Sequence, residues 1–210
     1  MVGKKKIKES KYGTDLEKLL EQRRAIIKVI GLGGAGNNTA TILMESGIHS
    51  IEIIGANTDA QQLLYCKADR KILLGKNTSR GLGAGADPVI GEEATKEDKE
   101  EIKKALKGAD LVFVTCGLGG GTGTGGIPVV AEIAKKMGAL TVGIVTMPFQ
   151  MEGRQRMENA IHGLEKLEKY VDTLIVIPND KLLEIVPEVS ITTAFKIADD
   201  VLVNAVKGIA

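Results

Sequence analysis

The chain has 210 residues, 43% of them hydrophobic but only 3% aromatic and none tryptophan, which predicts one ordinary domain with a core of Ile, Val, Leu and Ala. Its 28 basic and 27 acidic residues leave a formal charge of +1, which argues against a broad nucleic-acid surface. Two cysteines, Cys66 and Cys116, form neither a disulfide framework nor a metal-ligand spacing, and no apolar run reaches membrane-spanning length; a reducing cytoplasm without direct membrane insertion is expected.

Residues 1–24 read as a basic, solvated tail followed by a short polar helix over 15–24, with Leu16, Leu19 and Leu20 on one face. Residues 25–30 read as the first strand, 31–38 as a Gly-rich turn, and the helix after it runs to Ser46. A second strand covers 50–55, a short helix 60–65 and a third strand 71–74. The loop over 75–88 is long for a compact domain, a length usually tied to function. Residues 92–107 read as one charged outer helix, with Glu92/Lys96 and Glu100/Lys104 paired one turn apart. A strand over 110–115 then enters a Gly-rich loop over 115–126, and a helix follows over 127–137. The remaining elements are a strand over 139–146, a helix over 152–170, a strand over 172–177, a short helix, and an apolar helix over 192–210.

Strands alternate with helices and are continuous apolar runs, so both sheet faces should be covered. The predicted fold is α/β: a doubly wound, mostly parallel, Rossmann-like sheet of about six strands with helices on both faces. Ligands bind such sheets at the carboxyl ends of the strands. Every Gly-rich stretch falls there or just beyond, so several loops should converge on one crevice.

Residues 115–126, Thr-Cys-Gly-Leu-Gly-Gly-Gly-Thr-Gly-Thr-Gly-Gly, follow a strand and precede a helix without a gap. Consecutive peptide N–H groups at a helix start form an anion site, so the stretch reads as a phosphate wrap rather than a flexible linker. Gly31-x-Gly33-x-x-Gly36 also fits the dinucleotide fingerprint, but the acid expected about 20 residues on falls at Gly55 or Ala56. No Walker A sequence is present, so backbone N–H groups would hold phosphate without the usual lysine.

Gly-Gly-Gly-Thr-Gly-Thr-Gly (119–125) resembles the signature of the tubulin and FtsZ superfamily. The stretches 33–38, 57–63, 81–85 and 147–154 resemble FtsZ rather than tubulin, in order from about residue 25 to the end. The resemblance implies a cytoplasmic GTPase at the division site that assembles head to tail with itself and is held at the membrane by adaptor proteins. It implies that Gly33, Gly34, Ala35 and Gly36, with Gly120, Gly121, Thr122, Gly123 and Thr124, touch the phosphates of GTP or GDP. Asn57 and Asp59 would stand near the terminal phosphate, and Gly83, Ala84 and Gly85 would sense it; Mg²⁺ would accompany the triphosphate without an all-protein cage.

Glu152 and Arg156 match the family's ribose contacts, although their spacing also fits a simple salt bridge. An Asn at 37 or 38 would reach guanine, and helix-start capping is the plain role for both. Asn179, Phe195 and Asp199 match the guanine side. Phe195 and Asp199 share a helix face, and a ring beside a carboxylate suits guanine, whose N1–H and 2-amino group the acid can accept. His49 and His162 lack partners, and Cys116 resembles a packing residue.

By this reading residues 25–191 form the GTP-binding domain and 192–210 begin the central helix. In the family that helix leads to an acidic loop and a second, GTPase-activating domain, so a longer parent protein is expected. The loop would complete a neighbour's pocket, and without it this chain should bind nucleotide with little or no hydrolysis, leaving no complete catalytic set. Rival readings are a non-hydrolysing regulator of polymers and an NAD-linked dehydrogenase built on Gly31, Gly33 and Gly36.

Overall fold

The computed structural model describes residues 25–48, 50–185 and 190–209. The basic tail, the predicted helix over 15–24 and His49 lie outside the described residues. The apolar runs form six strands: β1 (Ile27–Leu32), β2 (Ile51–Asn57), β3 (Arg70–Leu73), β4 (Leu111–Gly117), β5 (Leu140–Met147) and β6 (Thr173–Pro178). All strand pairs are parallel, in the order β3-β2-β1-β4-β5-β6. This is the doubly wound order, and its switch point lies between β1 and β4.

Among the described residues the helices are α1 (Gly33–Glu45), α2 (Ala60–Tyr65), α3 (Pro88–Glu97), α4 (Lys99–Leu106), α5 (Thr122–Lys136), α6 (Arg154–Leu167), α7 (Asn179–Ile185) and α8 (Ile191–Ile209). Side chains alternate between two cores, as the period of a strand requires. Ile30, Leu32, Val112 and Val114 face α3 to α6; Val29, Phe113, Val142 and Ile144 face α1, α2, α7 and α8. Lys28 reaches out of β1 toward α4, where its ammonium donates to the Ala105 carbonyl at 2.7 Å and pairs with Glu52 of β2 at 2.8 Å.

Several predicted boundaries move. β1 runs two residues further than expected, through Gly31 and Leu32, and α1 begins at once at Gly33. Gly31 serves contact rather than turning: a Cβ there would collide with the Gly36 carbonyl, where α1 lies on β1. The predicted helix over 92–107 is two helices broken at Asp98, whose carboxylate accepts from the Gly75 N–H at 2.7 Å. With that break Glu100 pairs with Lys103 and Lys104 with Glu101, so the expected Glu100/Lys104 pair does not form; Glu92/Lys96 does.

The predicted Gly-rich loop over 115–126 is mostly regular structure. β4 extends through Gly117, α5 starts at Thr122, and residues 118–121 alone bridge them. The helix predicted over 152–170 is interrupted at Gly153 (φ +102), with a 3₁₀ turn over Gln150–Glu152 before α6. Glycines let α3 lie directly on α5: Cβ atoms at Gly91 and Gly125 would strike the carbonyls of Gly121 and Pro88. A Gly125→Ala substitution should therefore cost about 2–3 kcal/mol or more in a denaturant melt, the range for an overpacked core; an unchanged midpoint would show that the two helices separate freely.

Candidate functional site

The two central strands each feed a helix whose first turn is bare. α1 and α5 have no side-chain cap and no acidic residue in the first turn. Two other helices are capped by a side chain: Asp59 accepts from the Gln62 N–H at 2.9 Å to start α2, and Asp87 from the Val89 N–H at 2.8 Å to start α3; α4 lacks a cap but carries Glu100 and Glu101 in its first turn, and α6 shares the bare start. Uncapped first turns leave N–H donors and the positive end of the helix dipole unanswered. The bare ends of α1 and α5 both open on one cleft of about 400 Å³ at the carboxyl ends of the strands. That size suits a small-molecule ligand.

The cleft gathers most of the residues singled out in the sequence. Gly33, Gly34 and Ala35 line it from α1, Gly120 to Gly123 from the α5 side, and Gly83, Ala84 and Gly85 from the 75–87 loop. Asn57 and Asp59 stand at the end of β2, Glu152 and Arg156 by the start of α6, and Asn179, Phe195 and Asp199 opposite them.

Four predicted residues lie off the lining. Gly36 sits behind it, where a Cβ would meet the Thr115 carbonyl at 2.7 Å. Thr124 is buried, and its hydroxyl accepts from the Gly119 N–H at 2.8 Å, so it shapes the glycine loop from within. Asn37 and Asn38 lie inside α1 and cap nothing, because the helix starts five residues earlier than a cap at Asn37 would need. They point apart. Asn38 donates to the Asp199 carboxylate at 3.5 Å, whereas Asn37 is buried beside Cys66 and Gly55, with neither side-chain atom hydrogen-bonded.

The neighbours of each site residue set what it can do. Thr122 shares a 2.5 Å hydroxyl contact with Thr58, which ties α5 to the segment after β2. Glu152 accepts from Arg156 at 2.5 Å and from the Phe149 N–H at 2.9 Å, so the simple salt bridge is present and faces the cleft. The Phe195 ring is braced edge-on by buried Phe149, with centroids 5.0 Å apart, and is itself 41% exposed. Asn179 begins α7 rather than ending a strand, and its buried amide oxygen has no hydrogen-bond partner among the described residues.

Burial pushes the Asp199 carboxyl up to about 6; the Asn38 hydrogen bond opposes this, and the Asp200 charge adds to it. Cys116 is wholly buried and burial pushes its thiol far up, in keeping with packing. Among the described residues no group of three or more His, Cys, Asp or Glu could hold a metal ion, and no helix is long and apolar enough to cross a membrane.

Gln62, Leu82, Thr146 and Pro148 also line the cleft and were not singled out in the sequence. Thr146 and Pro148 follow from topology alone, since β5 ends beside β4. Leu82 carries no polar signal, and Gln62 enters through α2, which its own N–H helps to cap.

A six-stranded doubly wound sheet with two bare helix ends at its switch point defines an α/β protein of the mononucleotide-binding architecture. Residues 26–187 match the model of the Tubulin/FtsZ family, GTPase domain. The chain belongs to the tubulin/FtsZ family.

It is 60% identical over 203 residues to cell division protein FtsZ 1 of Pyrococcus furiosus, covering 97% of this chain and 55% of that protein. A structure described as an empty FtsZ dimer from M. jannaschii superposes with a TM-score of 0.92 at 60% identity, over 96% of this chain and 59% of that one. CetZ2 of Haloferax volcanii, described as a GTPγS-bound protofilament, superposes at 0.77 with 26% identity, over 86% and 57%. The chain thus spans little more than half the length of these relatives.

The raised Asp199 pKa sets a stability prediction. The folded chain holds this proton more tightly than the unfolded one, whose ordinary value is 3.8, so ionised Asp199 costs stability above about pH 6 and the cost fades as pH falls toward 4. Asp199→Asn should stabilise the ligand-free chain at pH 7.5 by roughly 1 kcal/mol, a figure discounted for partial solvation, with the gain vanishing near pH 4. A gain that persists unchanged at pH 4 would place its origin elsewhere.

Proposed function

We propose that this chain is the guanine-nucleotide-binding half of a cytoplasmic, division-site GTPase that polymerises head to tail. The observation that carries the reading is the pair of uncapped, acid-free helix N-termini of α1 and α5 facing one cleft. Among the described residues no side chain caps either start, and phosphate oxygens would answer those donors.

In this reading the N–H groups of Gly33 to Ala35 and Gly120 to Gly123 hold the phosphates, and the Thr122 side chain is held by the Thr58 hydroxyl. Asn57, Asp59 and Gly83 to Gly85 surround the terminal phosphate. Glu152 and Arg156 take the ribose. Phe195, held by Phe149, stacks on the base, and Asp199 accepts from guanine N1–H and the 2-amino group. The unpartnered Asn179 oxygen suits a further donor on the ligand. Mg²⁺ would arrive with the triphosphate, since no group of three ligating side chains is found among the described residues.

Hydrolysis needs a group that positions water in line with the terminal phosphate. The carboxylates that line the cleft are already engaged. Asp59 caps α2, Glu152 holds Arg156 and the Phe149 N–H, and Asp199 is met by Asn38 on the guanine side. We therefore assign water positioning to a neighbouring copy of the full-length protein, which makes turnover a property of the polymer. Adaptor proteins would tether that polymer to the membrane. A dehydrogenase reading finds no support at β2, which ends in Asn57 rather than an acid.

Three measurements test this reading. GDP should bind in a calorimeter, unaffected by NADH, and Asp199→Ala should abolish the preference over ADP; binding of NADH in place of GDP would overturn the assignment. GDP affinity should be flat above pH 7 and fall about tenfold from pH 7 to pH 5 as Asp199 protonates, with no such fall in Asp199→Asn. Dilute chain should show almost no GTP turnover; rates near those of a GTPase with a complete site, about 10⁻² s⁻¹, would sink the shared-site assignment.

A further inference from the structure

One side chain joins two loops that approach the cleft from opposite directions. Asn159 of α6 donates from Nδ2 to the Ala86 carbonyl at 3.2 Å and to the Gly119 carbonyl at 3.4 Å. Its own amide oxygen accepts from Gln155 at 3.1 Å, which orients the NH₂ toward the two carbonyls. Ala86 ends the 75–87 loop, and Gly119 belongs to the turn that leads into α5.

The rest of α6 fits the same arrangement. Arg156 lies one turn earlier and Gly163 one turn later on that face. A Cβ at Gly119 would press on the Arg156 backbone at 3.0 Å, and a Cβ at Gly163 would collide with the Thr124 methyl. One face of α6 is thus seated on the whole glycine turn, and it carries the cleft-facing Arg156 with it.

The 75–87 loop is held unevenly. Its outer half is fixed by Glu97, whose carboxylate accepts from the N–H groups of Asn77 and Thr78 and from both their side chains, and by Asp98 on Gly75. Its middle is fixed by Gly83 donating to the Thr58 carbonyl at 3.1 Å. At residues 84–86 the one hydrogen bond reaching in from beyond the loop and α3, among the described residues, is that from Asn159. Ala86 also sits at φ +62, a left-handed conformation that costs a non-glycine residue about 1–2 kcal/mol and persists where surroundings impose it.

We propose that Asn159 is a positioning residue: by tying the Ala86 end of the loop to the glycine turn through α6, it sets the cleft's preference for a nucleoside triphosphate over a diphosphate. This rests on the guanine-nucleotide reading above. The loop end is closed over the far end of the phosphate site by a bond that no nucleotide atom makes. Loss of that bond frees the part of the cleft a terminal phosphate would occupy and leaves the base and ribose side in place.

The test uses the 210-residue chain with Asn159→Ala, with isosteric Asn159→Asp, which has no donor, and with Asn159→Gln, which keeps one. Calorimetry reads affinity for GDP and for a slowly hydrolysed GTP analogue; limited trypsin cleavage at exposed Arg80 reads loop opening. In the Ala and Asp variants the triphosphate analogue should lose about fivefold, the worth of one neutral hydrogen bond. GDP should change less than about twofold, Arg80 should be cut faster, and Gln should restore part of each effect. Equal loss for both nucleotides, no loss for either, or a Gln variant no better than Ala overturns the role of Asn159. A wild-type chain that binds neither nucleotide overturns the guanine-nucleotide reading, and this inference with it.

Discussion

The structure depends on backbone meeting backbone where a side chain would stand in the way. α1 lies against β1 and β4 because Gly31 and Gly36 have no Cβ, and α5 lies against α3 because Gly91 and Gly125 have none. These contacts bring two helix starts to the switch point of the sheet, a few residues from the strand ends. A glycine in a strand or helix costs conformational entropy. That cost brings two sets of N–H donors close together, which larger residues at Gly31, Gly36, Gly91 and Gly125 would prevent.

The same economy governs charge. The acidic residues near the cleft do structural duties, capping α2 or holding Arg156, and the first turns of α1 and α5 carry none. Asp199 is the exception, an acid kept in a poorly solvated place where it raises the energy of the ligand-free chain. A group that weakens the empty fold and suits a specific donor pair is the usual sign of stability given up for recognition. The glycines stabilise the scaffold by their absence of bulk, and in the proposed reading Asp199 would select by its charge.

The fold class was legible because the strands are unbroken apolar runs, which parallel sheets covered on both faces require. Most of the cleft was legible because glycine clusters follow strands. What failed was local punctuation. Gly31 resembled a turn residue, yet its role is close contact with Gly36 from within a strand. The break at Asp98 carries no Gly or Pro; it arises because the carboxylate is drawn to Gly75, more than twenty residues away. Asn37 and Asn38 were indistinguishable in sequence, and the turn of a helix between successive residues sends one into a buried gap and the other toward Asp199. Gly91 and Asn159 act only through long-range contacts, so no pattern near them in the chain marks them.

The flank of the sheet at β3 has a consequence for how copies can meet. β3 is four residues long, and its first two, Arg70 and Lys71, are exposed; Lys76 and Lys104 line the same hollow with Asp98 and Glu101, so basic residues outnumber acidic ones there. A short, cationic edge resists pairing with another strand. Two copies brought flank to flank there would set like charges together, so a wider sheet shared between molecules is disfavoured. The cleft, by contrast, opens at the carboxyl ends of the strands, where Leu82 lines it and stands exposed. The β3 edge therefore disfavours growth of the sheet from one copy to the next.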